Sequence, residues 1–311
     1  MKLLRGCHDL QPLSTNTVAT IGNYDGFHLG HQKIIDYINK ESTHSQLPSV
    51  LINFQPTPKE YFAQEQAPAR IYPFRKKFQL AKSMQIDFFA CLRFNKSLAS
   101  MPADKFVTDI LVNTFKIKHL IVGDDFRFGH QRQGDFGLLD SMSTSLGFKV
   151  TNINTLSHEY TRVSSTLIRE KLEQGDFKQV AVLLGRPFTM SGKVFHGDKK
   201  GRTIGFPTAN ILIKRRVSPI HGVFTVTASD GFSKWQGVAN VGKRPTVNGQ
   251  RMQLEVHMFN CDESLYGKRL EIEFHSKIRD ELKFSSFEAL QHQISLDAEQ
   301  ARQYFKGRST P

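Results

Sequence analysis

Short apolar runs alternate with amphipathic stretches through the first half of the chain. Runs at 17–22, 49–54, 87–92, 118–123 and 148–153 have the length of strands. Between them, apolar residues recur at helical spacing near 29–41, 73–84, 103–114 and 135–146. This alternation predicts an α/β domain: a Rossmann-like parallel sheet with helices on both faces. In such sheets ligands gather outside the carboxyl ends of the strands. A last helical run at 176–184 ends in Leu183-Leu184-Gly185-Arg186-Pro187, and the pattern then changes. Strand candidates at 188–196, 209–213, 222–229, 233–241, 251–259 and 269–275 follow one another without helices, which predicts a β-barrel or compact sandwich. The expected domains are therefore 1–185 and 186–311. Near the end, Ser285 and Glu288 have capping-box spacing. Phe287, Leu290, Ile294, Ala298, Ala301 and Phe305 form an apolar stripe, so a closing helix should pack on the second domain and carry no chemistry.

The motifs sit where the strand candidates end. Thr20–His31, T-I-G-N-Y-D-G-F-H-L-G-H, turns from a strand through Gly22 and Gly26 into a helix. That geometry aims backbone N–H groups and a helix N-terminus at one point, which suits a phosphate. His28 and His31 are three apart and share a helical face, from which two imidazoles can stabilise charge on a leaving pyrophosphate. Asn53-Phe54-Gln55-Pro56-Thr57-Pro58 follows the second run as an extended loop. Gly123-Asp124-Asp125-Phe126-Arg127-Phe128-Gly129 follows the fourth, and its aromatics and carboxylates suit a flat ligand with polar edges. Ser164, Ser165 and Thr166 open a helix with Arg169 one turn along, which serves either as a cap or as a phosphate grip. No G-x-x-x-x-G-K-[ST] occurs, which excludes a P-loop enzyme.

In the second half, residues 192–210 run G-K-V-F-H-G-D-K-K-G-R-T-I-G-F-P-T-A-N, a glycine-rich basic loop able to wrap phosphates. Thr208 and Asn210 are two apart, on one side of an extended segment, and offer hard oxygens fit for Mg²⁺. In Met252–Met258, period two puts Gln253, Glu255 and His257 on one face and the apolar residues on the other.

Composition narrows the setting. Of 311 residues, 42 are Lys or Arg and 29 Asp or Glu, a net charge of +13 that favours polyanionic partners. The cations are dispersed in clusters as short as Arg75-Lys76-Lys77 and Lys214-Arg215-Arg216, so nucleotide phosphates fit better than a nucleic-acid stripe. Cys7, Cys91 and Cys261 give neither a disulfide framework nor metal spacing. With no apolar run approaching a membrane span and no signal-peptide pattern, a cytoplasmic location is expected.

H-x-G-H together with S-S-T-x-x-R resembles the adenylyl- and cytidylyltransferase superfamily. With G-D-D-F-R-F-G, G-F-P-T-A-N, G-V-A-N-V-G-x-R-P-T, L-E-V-H and L-Y-G-K-R-L, the resemblance extends over nearly the whole chain to the bifunctional bacterial riboflavin kinase/FAD synthetases. It implies a nucleotidyltransferase domain that adenylates FMN to FAD with ATP, fused to a six-stranded antiparallel barrel kinase with a C-terminal helix. On this resemblance Gly22, Asn23, Asp25, Gly26, His28, His31, Asp125, Ser164, Ser165, Thr166 and Arg169 bind the nucleotide of the first domain. His28, His31 and Arg169 act in catalysis there. In the kinase, Gly192, Lys193, His196, Gly197, Gly201, Arg202, Gly205, Pro207, Thr208, Asn210 and Arg279 bind nucleotide or flavin. Thr208 and Asn210 hold Mg²⁺, and Glu255 is the base for the ribityl hydroxyl. Riboflavin, FMN and ATP are the implied substrates, with no nucleic-acid or membrane partner. Thr57 stands where the family usually has His, and Tyr24 and Phe27 replace Phe and Val as packing changes. The competing readings are a nucleotidyltransferase with another acceptor, which leaves the second half unexplained, and a nucleic-acid-binding barrel, whose strands at 222–259 carry few cations.

Overall fold

The computed structural model describes residues 1–6, 11–154, 157–158, 161–196, 205–213, 217–246 and 249–307. Contacts divide the chain into two compact units, Met1–Pro68 with Tyr72–Ser165, and Ala69–Ile71 with Thr166–Pro311.

The first unit holds a six-stranded sheet. Its strands are β1 (Lys2–Gly6), β2 (Thr17–Ile21), β3 (Ser49–Phe54), β4 (Phe88–Leu92), β5 (Ile117–Gly123) and β6 (Lys149–Ile153). The order is β1-β4-β3-β2-β5-β6 and every pairing is parallel. Both faces of a parallel sheet must be covered, and β2 and most of β3 are buried throughout. Helices α1 (Leu29–Ser45) and α3 (Phe74–Ser83) cover one face around Ile35, Ile38 and Phe89. The other face is covered by α6 (Phe136–Leu146) and the segment 103–114, around Phe106, Val107, Ile110 and Leu139. Three short helices complete the unit: α2 (Pro58–Ala63), α4 (Lys96–Ala99) and α5 (Ala103–Lys105). Strand order reverses between β2 and β5, so the loops after these two strands flank the crevice where such sheets bind ligands. A two-residue hairpin, β7 (Ser157–His158) and β8 (Thr161–Arg162), precedes the next helix.

The second unit contains α7 (Ser165–Gln174, from Thr166 onward) and α8 (Phe177–Leu184). It continues with β9 (Thr189–Phe195), β10 (Ala209–Leu212), β11 (Gly222–Ser229), β12 (Lys234–Thr246), β13 (Gly249–Met258) and β14 (Arg269–Arg279). These six strands close into an antiparallel barrel in the order β10-β13-β12-β11-β14-β9. Val226, Ala239, Val241, Leu254, Val256 and Ile272 are fully buried, as the period-two pattern requires. Phe177 of α8 stacks on Phe274 at 5.8 Å and meets Phe188 and Phe224 at 6.3 and 5.7 Å between ring centres. The last helix, α9 (Phe287–Lys306), lies on the barrel through Ala298 and Ala301 beside Phe259.

Several expectations change. The cap of α9 is Ser286, whose side chain accepts from Ala289 N–H, and not Ser285. Phe287 is exposed, and the buried stripe begins farther along because the first turn of α9 overhangs the barrel. Residues 103–114 form α5 followed by a π-helical stretch, Phe106–Thr114, where one regular helix was expected. The edge strand β1 gives no signal in the pattern because K-L-L-R-G has only two apolar residues. Among the described residues no helix is long and apolar enough to cross a membrane.

Phe177→Ala is expected to leave a cavity under the barrel and to lower unfolding stability by about 3–5 kcal/mol, read from chemical denaturation.

Candidate functional site

The turn after β2 is held from below. Asn53, fully buried at the end of β3, donates through Nδ2 to the carbonyls of Gly22 (2.9 Å) and Asn23 (2.7 Å). Lys77 of α3 is 2% exposed, and its ammonium donates to the Asn23 carbonyl at 2.8 Å and to Asn53 Oδ1 at 3.3 Å. A buried ammonium is tolerated only where polar groups replace its water, so Lys77 and Asn53 fix this turn as a unit. Tyr24 and Phe27 take left-handed backbone conformations, φ 45° and 47°, and both side chains are buried. Thr20 Oγ1 donates to the Ile121 carbonyl at 2.7 Å and receives the Tyr24 hydroxyl at 2.6 Å. Burial pushes the Tyr24 phenol far above its ordinary pKa, so it stays protonated and holds that bond.

His28 is itself the N-cap of α1, and its Nδ1 accepts from the His31 backbone N–H at 3.4 Å. An accepting Nδ1 places the proton of a neutral ring on Nε2, which makes that edge a donor. The rings of His28 and His31 stack with centres 3.6 Å apart, at the positive end of a 17-residue helix. A Cβ at Gly30 would come within 3.2 Å of the His28 ring, so glycine leaves room for the imidazole. Asp25 accepts from Tyr72 N–H at 3.3 Å, and its carbonyl accepts from Ser165 Oγ at 2.7 Å. The hydroxyl run at 164–165 is thereby drawn to the turn carrying Gly26 and His28.

Other expected positions are placed differently. Asp125 is exposed and pairs with Arg162 at 2.7 Å. Ser164 is half-buried and Thr166 exposed at the start of α7. Arg169, one turn along, donates from Nε to the Ala69 carbonyl at 2.6 Å. Thr57 caps α2 in a reciprocal box with Glu60, so the residue that departs from the family pattern has a structural task. Lys77 and the aromatic residues Tyr61, Phe62 and Phe94, which gather with Phe54, carry no functional signal in the sequence. Phe94 has Phe54, Tyr61 and Phe62 within 5.8 Å, and Phe62 is 66% exposed. Lys77 lies in a basic triplet that reads as solvated surface, and only its burial reveals it.

On the barrel, strand register makes the second site. Asn210 of β10 lies opposite Glu255 of β13, and Glu255 opposite Asn240 of β12. In-register antiparallel neighbours present side chains on one face. Leu254 and Val256 fill the interior, so Gln253, Glu255 and His257 face outward, as their spacing predicts. The Gln253 amide nitrogen donates both to Asn210 Oδ1 and to Glu255 Oε1, the latter at 3.1 Å. Two oxygens thus converge on one amide donor, as they would on a hard cation. His257 anchors the preceding segment through Nδ1 and the Pro207 carbonyl, 3.0 Å. Burial holds the His257 pKa below its ordinary value, against the Pro207 bond, so the neutral ring donates.

Thr208 is half-buried, two residues before Asn210, while Gly205 has φ 81° with open space around it. Gly192 has a packing reason: a Cβ there would meet Ile211 Cγ2 at 2.5 Å and the Leu212 carbonyl at 2.8 Å. Lys193 is exposed, and the His196 ring stacks on Tyr266 at 3.9 Å. Gly197, Gly201 and Arg202 lie outside the described residues. Arg279 turns to α9, where its Nε and Nη2 hold the buried Asp297 carboxylate at 2.6–3.1 Å. Asp297→Ala strands that guanidinium and should lower stability by about 3 kcal/mol in urea unfolding.

Comparison with known proteins follows this division. A family model described as FAD synthetase matches residues 10–167, and one described as riboflavin kinase matches 184–305. The bifunctional riboflavin kinase/FMN adenylyltransferase of Escherichia coli K12 is 42% identical over 307 residues, 98% of each chain. The protein of the same description from Haemophilus influenzae is 42% identical, with 98% of this chain and 99% of the relative covered. That of Pseudomonas fluorescens is 43% identical over 97% of each. A crystal structure titled as a macrolide-efflux protein from Streptococcus pneumoniae superposes with a TM-score of 0.80 at 27% identity, covering 96% of this chain and 98% of that one. Two enzyme-family matches in this order, with over 40% identity along nearly the full length, place the chain in the family of bifunctional riboflavin kinases/FMN adenylyltransferases.

Proposed function

We propose that this chain phosphorylates riboflavin with ATP on its barrel and adenylates the resulting FMN with a second ATP on its α/β domain, the two activities dividing near residue 185. The observation that carries this reading is the register of β10 on β13, which sets Asn210 beside Glu255 on one outer face.

In the first step Glu255 takes the proton from the terminal ribityl hydroxyl as that oxygen attacks the γ-phosphorus of ATP, and ADP leaves. The arrangement is one of alignment and charge neutralisation, which phosphoryl transfer chiefly needs. Thr208 Oγ1 and Asn210 Oδ1 would hold Mg²⁺, which would offset the charge of the nucleotide phosphates. Gln253 keeps the Glu255 carboxylate turned toward Asn210, and His257 fixes the chain leading into Thr208.

In the second step a phosphate oxygen of FMN attacks the α-phosphorus of ATP, and pyrophosphate leaves. His28 and His31, at the positive end of α1, donate to the oxygens on which charge develops. Gly22, Asn23 and Gly26 line the phosphate turn, Ser164 and Ser165 hold the departing end, and Asp25 and Asp125 complete the nucleotide contacts. The exposed Phe62, propped edge-to-face by Phe94 beside Phe54 and Tyr61, offers an apolar ring on which an isoalloxazine can pack.

Chromatography of riboflavin, ATP and Mg²⁺ with the purified chain should show FMN followed by FAD; neither product appearing would overturn the assignment. Glu255→Ala should reduce FMN formation by about 10²-fold or more while FMN-to-FAD conversion stays near normal. His28→Ala should give the opposite split, with adenylylation down about 10²-fold and the kinase intact. Equal loss of both activities in either variant would contradict separate sites.

A further inference from the structure

We propose that Asn240 is a substrate-reading residue of the kinase site, its side-chain carbonyl accepting a hydrogen bond from a secondary hydroxyl of the ribityl chain. This rests on the kinase reading given above and extends it to specificity. Asn240 lies on β12 directly opposite Glu255, on the face that also carries Asn210, so the three side chains form one row across β10, β13 and β12. Facing side chains in such a row start about 5 Å apart. A polyol whose terminal hydroxyl meets Glu255 therefore brings the hydroxyl of a neighbouring carbon to Asn240.

The chemistry of the patch selects the ligand. Asn240 Oδ1 is buried and has no hydrogen-bond partner among the described residues. A buried acceptor without a donor is costly, and a donor brought by a ligand removes that cost. Two carboxylates stand near it. Glu255 is opposite, and the Glu281 carboxylate lies over Gly242, where a Cβ would overlap it. Gly242 is two residues from Asn240 and therefore shares its face, opposite Gln253. The amide donor of Gln253 is engaged by Asn210 and Glu255. What surrounds Asn240 is a set of acceptors, which matches a chain of hydroxyl donors and not a second anion.

Steady-state kinase kinetics test the assignment with two flavins. Riboflavin carries the hydroxyl chain, while lumiflavin has the same ring system without it and reads ring binding as a competitive inhibitor. Asn240→Leu keeps the shape and removes the acceptor; the riboflavin KM should rise about tenfold or more, with the ATP KM and the lumiflavin Ki within about twofold of the parent chain. Asn240→Asp retains an acceptor and should keep the riboflavin KM within about threefold. If the Leu variant loses its melting transition, Asn240→Ala, which also removes the acceptor, should give the same split. FMN adenylylation by each variant checks that the chain is intact. An unchanged riboflavin KM in the Leu variant, or a parallel weakening of riboflavin and lumiflavin, overturns the proposal. If the parent chain itself makes no FMN, the underlying kinase reading fails instead.

Discussion

Antiparallel pairing allows only two faces to a strand, and the kinase site proposed for this chain depends on which face each residue takes. With β10 and β13 paired so that Asn210 meets Glu255, the Asn210 amide and the Glu255 carboxylate come to one side of the barrel wall. Leu254 and Val256 fill the other side. A slip of one residue would turn Glu255 into the core and two large apolar side chains out to water, so the same burial that stabilises the barrel fixes its chemistry. The barrel is in turn closed from below by Phe177 against Phe188, Phe224 and Phe274, and clamped to its last helix by Arg279 and Asp297.

The nucleotide turn of the α/β unit solves a different problem. In the proposed reading its backbone N–H groups face a phosphate, and its own carbonyls take partners from beneath. Asn53 and Lys77 supply them, the Lys77 amine from a position almost wholly removed from water. His28 then closes the first turn of α1 with its ring in place of the usual short polar cap. That substitution places an imidazole where serine or aspartate would ordinarily serve structure alone.

The sequence made the alternation of strands and helices, the later change to consecutive strands and the outward face of Glu255 legible, because each is written in local periodicity. It also carried the motifs that define the family. It did not disclose Lys77, because a lysine in a basic triplet looks solvated until tertiary packing buries it. Nor did it disclose Asn240, whose meaning lies in register with a strand partner. Arg279 also pairs with Asp297 and Gly192 also admits a close strand approach, structural tasks that local spacing does not announce. The Ser285/Ser286 displacement is a one-residue matter of which hydroxyl adopts the extended cap conformation, and spacing alone does not decide it.

The central claim is that two ATP molecules are used at different phosphorus atoms. It is tested most directly by following label from ATP into the flavins. With riboflavin and γ-³²P-ATP, label should enter FMN and remain in FAD. With α-³²P-ATP, label should enter FAD and be absent from FMN. Label from the α position in FMN, or an FAD that carries no γ label, would contradict the account.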